Sequence, residues 1–284
     1  MEYNFSQDLK IIREILGLTQ DELASRIDTQ RVTISRNELE KNAPTFNLLE
    51  KVYSYAFEQN IKINKLKEMF YIDETRDGHK MLCHGAKDII EGRLSVKKSR
   101  DNNDFGTGFY TGENYDQAAS FISGFPKSSV YFLDFDNKGL VEKRYEVNRD
   151  WMLTIAYYRG TLEEYESHPI VKKLVKQSRE CDYIVAPIAD NRMFQIINSF
   201  ISGEITDEQC KHCLSATNLG YQYVFVSDKS VNKIKLLERC YISEKERDYY
   251  RNIRSSESKL GDDKVKLARI KYRGKGKYID ELLK

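Results

Sequence analysis

No apolar run in this sequence approaches the roughly 20 residues that a membrane-crossing helix needs. The opening residues, MEYNFSQDLK, lack the basic-then-apolar pattern that directs secretion. Cysteines number five, an odd count at irregular spacing, so the chain carries no disulfide framework. These absences predict a cytoplasmic protein with reduced thiols and no membrane partner. Net charge is also small, +2 at pH 7, but it hides a local excess. Between Lys264 and Lys277 there are seven Lys or Arg and no acid. What remains is 284 residues, 40% hydrophobic and 32% charged, which suits a soluble protein of two domains.

The first seventy residues read as helices. Leu9, Ile12, Ile15 and Leu16 recur at helical spacing over 7–17, and Gly17 is placed to end that helix. Thr19 with Glu22 forms a capping box for a second helix, whose inner face is Leu23, Ala24 and Ile27. Asp28 occupies the turn, where Asp tolerates a left-handed backbone. A third helix is predicted over about Gln30 to Leu39. A fourth carries Phe46, Leu49, Val52, Tyr53 and Ala56, and Phe57 to Phe70 is predicted to continue it. The polar stretch 73–78 marks a boundary with no low-complexity linker, so two packed domains are expected.

Leu18-Thr19-Gln20-Asp21-Glu22-Leu23-Ala24, then Thr33-Ile34-Ser35-Arg36 and Glu38, resemble the helix-turn-helix of phage-repressor-like regulators. The resemblance implies that the third helix enters the DNA major groove. Gln30, Arg31, Thr33 and Arg36 would then face bases or phosphates, since Arg and Gln can bond two atoms of one base edge. Asp28 stands where that family has glycine. Residues 1–70 carry ten Lys or Arg against eleven Asp or Glu. Affinity for DNA draws on phosphate neutralisation, so one copy would bind weakly and a homodimer is expected. A protein-interaction bundle is the competing reading.

Beyond residue 73 strands and helices mix without regular alternation, which predicts an α+β domain. Strands are expected at Met81–Gly85, Val130–Phe135, Tyr183–Ala186, Tyr221–Val226 and Ile234–Leu237. Helices are expected at Asp88–Glu91, after Asp190 as N-cap, and after a Thr206–Gln209 capping box. Ala118, Ala119, Phe121 and Ile122 add a further apolar helical pattern. Trp151 and the Tyr157-Tyr158 pair read as core or rim. Cys210-Lys211-His212-Cys213 invites a zinc reading, but no second pair accompanies it and buried thiols explain it better. No metal is expected. The segments expected are 1–72, 73–243 and a charged tail, 244–284, helical through Arg254. That tail, with Tyr272 and Tyr278 among its basic residues, is either a nucleic-acid contact or simply solvated.

Three short segments occur in order: Leu82-Cys83-His84-Gly85, Asp104-Phe105-Gly106-Thr107-Gly108-Phe109-Tyr110, and Tyr221-Gln222-Tyr223-Val224-Phe225. They resemble the NAD-binding signatures of ADP-ribosyltransferases of the diphtheria-toxin and poly(ADP-ribose) polymerase type. With Ser99-Arg100 and Val185-Ala186-Pro187-Ile188-Ala189-Asp190-Asn191, residues 80–242 also resemble a bacterial domain family allied to that clan. The resemblance implies that His84 bonds the adenosine ribose and the Gly85 backbone pairs with the nicotinamide amide. It implies that Tyr110 and Phe121 sandwich the nicotinamide ring, with Gly108 leaving room for close approach. Arg100 would meet the pyrophosphate, and Asp190 and Asn191 would line the cleft. The family's third-position glutamate is Gln222 here, which can bond a ribose hydroxyl but carries no charge.

Cleavage of the nicotinamide–ribose bond demands a bent NAD and stabilised positive charge on the ribose. A neutral Gln222 argues for single ADP-ribose transfer rather than chain growth. The sequence reading is therefore an NAD-dependent mono-ADP-ribosyltransferase, toxin-like or defence-like by resemblance, acting on a nucleic-acid or protein acceptor. The alternative is a transcriptional regulator that binds NAD or another nucleotide without turnover.

Overall fold

A computed structural model of the chain describes residues 2–216 and 220–283. In chain order the helices begin with α1 (Phe5–Ile15), α2 (Gln20–Arg26), α3 (Arg31–Glu38), α4 (Phe46–Glu58) and α5 (Ile63–Asp73). Then follow β1 (His79–Ala86), β2 (Phe109–Gly112), α6 (Tyr115–Ile122), β3 (Ser129–Asp136), β4 (Glu142–Arg144), α7 (Arg149–Tyr158) and α8 (Pro169–Arg179). The remainder is β5 (Tyr183–Pro187), α9 (Asn191–Ile201), α10 (Asp207–Ser215), β6 (Tyr221–Phe225), α11 (Asp228–Val231), β7 (Ile234–Tyr241), α12 (Glu244–Lys271) and α13 (Ile279–Leu282).

Local chemistry accounts for many of these boundaries. The expected capping box forms: Thr19 Oγ1 accepts from the Glu22 N–H, and the Glu22 carboxylate accepts from the Thr19 N–H at 2.7 Å. Asp28 has φ 48°, the left-handed turn expected of it. Asp190 caps α9 by accepting from the Met193 N–H at 2.8 Å.

Four expectations need correction. The helix predicted to run through Phe57–Phe70 is broken, because Asn60 turns left-handed at φ 62° and Ile61 N–H closes α4 on the Ala56 carbonyl. Asp88–Glu91 is not helical: Ile89 is exposed, and the Ile90 N–H is given to the Tyr131 hydroxyl at 3.0 Å. Thr206 does cap α10, but Gln209 does not return the bond; its amide donates to the Arg269 carbonyl at 2.5 Å. The tail stays helical beyond Arg254 and packs at its apolar end, although most of its basic side chains remain exposed. α12 continues to Lys271, and Ile279 and Leu283 are buried in a core with α9 and α10 residues.

The chain forms two compact units, neither continuous in sequence. One holds Met1–Gly92, Asn114–Phe135 and Lys235–Arg254; the other holds Arg93–Glu113, Asp136–Ile234 and Ser255–Lys284. These units cut across the segments 1–72, 73–243 and 244–284 expected from sequence.

The first unit joins the N-terminal helices to β1, α6, β3, β7 and the start of α12. Its strands lie in the order β1-β3-β7. Buried polar groups explain why the helices do not stand apart. Asn64 of α5 donates to the Tyr115 hydroxyl at 2.8 Å and to the Tyr241 carbonyl at 2.9 Å. Tyr115 in turn donates to Glu246 of α12 at 2.9 Å. Burial pushes the Glu246 carboxyl up to about 7, against the stabilising bonds from Tyr115 and Asn64. A carboxyl whose folded value is raised gives stability that is full below its unfolded value and lost as pH rises through about 7. Glu246→Gln is therefore expected to abolish that slope, leaving stability unchanged near pH 4 and raising it by about 2–3 kcal/mol at pH 8. Thermal unfolding at the two pH values checks this.

The second unit is a mixed α/β body. β4 and β5 pair in parallel, while β5–β6 and β6–β2 are antiparallel. α7, α8, α9 and α10 supply its core with Trp151, Leu174, Ile197, Phe200 and Leu214. Trp151 is core and the Tyr157-Tyr158 pair is half-buried, as the sequence allows.

Candidate functional site

In the first unit, α1, α2 and α3 pack around Leu9, Ile12, Leu23, Ala24, Ile27 and Ile34. The polar lock of the arrangement is Glu38, which is buried at the end of α3. Its carboxylate accepts from Arg13 of α1 at 2.8 Å and from Gln20 of α2 at 2.7 Å. One side chain thus fixes three helices, and an acceptor-only group between two donors leaves little freedom in their angle.

This lock sets which face of α3 points outward. Arg31, Val32 and Arg36 are exposed, Ser35 and Thr33 are half-buried, and Gln30 is exposed at the N-cap. Arg31 meets Asp21 at 3.5 Å with both side chains mostly in solvent, a contact that contributes little. Sequence reasoning therefore located Gln30, Arg31 and Arg36 on the open surface, with Thr33 at its edge. It missed Val32 and Ser35, which the helical period puts between the two arginines. An exposed valine there is suited to a thymine methyl.

In the second unit, two residues from distant motifs share one sheet face. Register pairs Tyr110 with Val224 and Gly112 with Gln222. Tyr110 and Gln222 are therefore diagonal neighbours on the same side. The Tyr110 hydroxyl donates to the Gly106 carbonyl at 2.8 Å and accepts from the Phe105 N–H at 3.1 Å. Burial pushes its phenol above the usual range. Gln222 is buried and donates from Nε2 to Asp104 at 2.8 Å and to the Pro187 carbonyl at 3.3 Å. Asp104 is buried and ion-paired to Arg159. Neither Asp104 nor Arg159 was given a role from sequence, although Asp104 opens the glycine-rich stretch; their meeting depends on the fold.

Gly108 is required by packing: a Cβ there would lie 2.9 Å from Val224 Cγ1 and 3.0 Å from the Phe225 carbonyl. Arg100 is exposed on the loop before β2, where Ser99 Oγ accepts the Gly108 N–H at 2.9 Å. Asp190 is occupied as a helix cap and Asn191 is exposed.

The remaining candidates belong to the first unit. His84 is half-buried on β1. At Gly85 a Cβ would meet the Ala118 carbonyl at 2.7 Å and Ile122 Cγ2 at 2.8 Å, so α6 packs directly on the strand. Phe121 projects from α6, 60% exposed.

Among the described residues no group of His, Cys, Asp and Glu could hold a metal ion. Cys210 and Cys213 are buried, and their thiols donate to the Ile196 and Val265 carbonyls. Burial raises both above the usual thiol range. His212 stacks on Tyr272 at 3.5 Å, which commits one face of that ring. Among the described residues no helix is long and apolar enough to cross a membrane.

A family model described as "Protein of unknown function (DUF3990)" matches residues 81–236. A second, described as "Helix-turn-helix", matches residues 9–52. No curated protein and no solved structure matches the chain.

Proposed function

We propose that this chain, which belongs to the DUF3990 family, is a DNA-binding protein whose second module transfers single ADP-ribose units from NAD to a macromolecular acceptor. The DNA-binding half rests on the helix-turn-helix match and on the open Arg31–Arg36 face of α3. The near-neutral charge of residues 1–70 calls for two copies on one DNA site. The transferase half draws its support from the resemblance of three ordered segments. One structural observation favours it: Tyr110 and Gln222, more than a hundred positions apart, are neighbours on one sheet face with a carboxylate bonded to the amide.

In this reading the Tyr110 ring packs on the nicotinamide of NAD. Gln222 accepts from a hydroxyl of the nicotinamide ribose. The leaving group is neutral nicotinamide, and the acceptor is a nucleic acid brought by α3 or a protein. Purified chain is expected to release nicotinamide from NAD, and Tyr110→Ala to lower the rate by about a hundredfold or more. Chromatography of nicotinamide formed per hour is the measurement, with labelled NAD revealing the acceptor class.

A second reading is favoured by the neutrality of Gln222 and by the internal bonds of its amide. The module would then bind NAD or another nucleotide without turnover and alter DNA affinity. NAD recovered intact, together with a shifted DNA-binding curve, would select it.

A further inference from the structure

Asp104 is surrounded by donors. Its Oδ1 accepts from Arg159 Nε at 2.9 Å and from Arg159 Nη2, and its Oδ2 accepts from Gln222 Nε2 at 2.8 Å and the Ala189 N–H at 3.3 Å. Arg159 also donates from Nη2 to the Ala189 carbonyl at 2.7 Å and lies over the Phe194 ring at 4.6 Å. The guanidinium is thus fixed on two sides. A carboxylate only accepts and a guanidinium only donates, so the polarity of the whole chain of bonds is set. Gln222 must turn its nitrogen toward Asp104 and the Pro187 carbonyl. What the amide then has left to offer is its carbonyl oxygen.

We infer that Asp104, held by Arg159, is a positioning residue that presents the Gln222 carbonyl oxygen as the acceptor for a ribose hydroxyl of a bound nucleotide. The inference rests on the NAD reading for the identity of the ligand, but the orientation of the amide does not. It explains how a neutral residue serves where a carboxylate is expected. One amide oxygen takes the place of one carboxylate oxygen, and the Asp104 charge behind the NH2 polarises the amide so that this oxygen becomes more negative. It also gives Asp104 and Arg159 a purpose that a second buried carboxylate at position 222 would disrupt.

That last point makes the idea testable against intuition. Gln222→Glu restores the residue type of the resembling family, yet it sets two carboxylates at bonding distance. Nicotinamide release by full-length Gln222→Glu is expected to fall at least tenfold at pH 8 and to recover partly at pH 5.5, where the pair takes up a proton. Asp104→Asn alone is expected to lower kcat about tenfold while KM for NAD moves less than threefold. The double variant Asp104→Asn with Gln222→Glu should return to within about threefold of wild type, because the introduced amide can donate to the introduced carboxylate. A merely structural role would not give the pH recovery or the split between kcat and KM.

Circular dichroism and thermal midpoints show whether each variant is folded. An increase in activity for Gln222→Glu, or a double variant no better than the singles, overturns the inference. A second readout works even if wild type releases no nicotinamide. In protein labelled with 15N-glutamine, the side-chain NH2 pair absent from Gln222→Glu should exchange slowly in wild type and at least tenfold faster in Asp104→Asn. Slow exchange with no turnover would remove the transferase reading and keep the positioned amide; rapid exchange in wild type would remove the positioning itself.

Discussion

Lys67→Met is expected to destabilise the protein by about 3–5 kcal/mol at neutral pH. Lys67 of α5 lies between two carboxylates, Asp8 of α1 and Glu238 of β7, the latter at 2.6 Å. All three side chains are nearly sealed from water, at 11%, 1% and 7% exposure. Tyr53 donates to Asp8, and Tyr71 donates to Glu238 at 2.9 Å. Burial raises the Asp8 carboxyl, and Lys67 pulls it back down. Removing the ammonium leaves two buried carboxylates with no cation between them, which costs far more than the intact cluster contributes. Because the folded value of Asp8 is raised, its contribution is full below its unfolded value and is lost as pH rises through the folded one. Without Lys67 that folded value climbs further, so the deficit should shrink on acidification. Guanidinium unfolding at pH 7.5 and pH 5 measures both effects. Asp8→Asn in the Lys67→Met background should recover part of the loss. A deficit below about 1 kcal/mol, or one insensitive to pH, would mean that the cluster is not coupled.

Removing both arginines of the α3 face should have the largest effect on DNA. Each arginine bonded to a base edge or phosphate is worth about 1–3 kcal/mol, so Arg31→Ala with Arg36→Ala should weaken binding by roughly a hundredfold or more. If both meet phosphates, the slope of log affinity against log salt should also fall by about 0.9 for each phosphate no longer neutralised. Thr33→Ala should do less, since Thr33 is half-buried, and Val32→Ala should reduce discrimination rather than salt dependence. The probe is genomic DNA retained by the immobilised full-length chain, sequenced and then titrated by fluorescence anisotropy. The Glu38 lock lies behind this face, so Glu38→Gln should weaken binding through the helix angle while leaving the salt slope unchanged. Equal affinity for wild type and the double arginine variant would remove α3 as the contact surface.

Much of the local structure was legible without coordinates. Thr19 and Glu22, Asp28 at its turn, Asp190 as a cap and the alternation of Tyr221–Phe225 all depend on neighbours within a few residues. Such signals are short-range, so the order of residues carries them. The packing of the segment that ends at Lys277 was not legible, because its backbone partners, Asp207 and Thr206, lie some seventy positions earlier.

By itself the sequence determined the four N-terminal helices matched as a helix-turn-helix and the strand that carries Gln222. Only the tertiary structure decided that Asp104 and Arg159 stand behind Gln222, that Glu38 locks α3 to α1 and α2, and that β7 and the start of α12 belong with the N-terminal helices. The reason is the same in each case: a buried charge must find its partner in space, and chain spacing places no limit on how far along the sequence that partner lies.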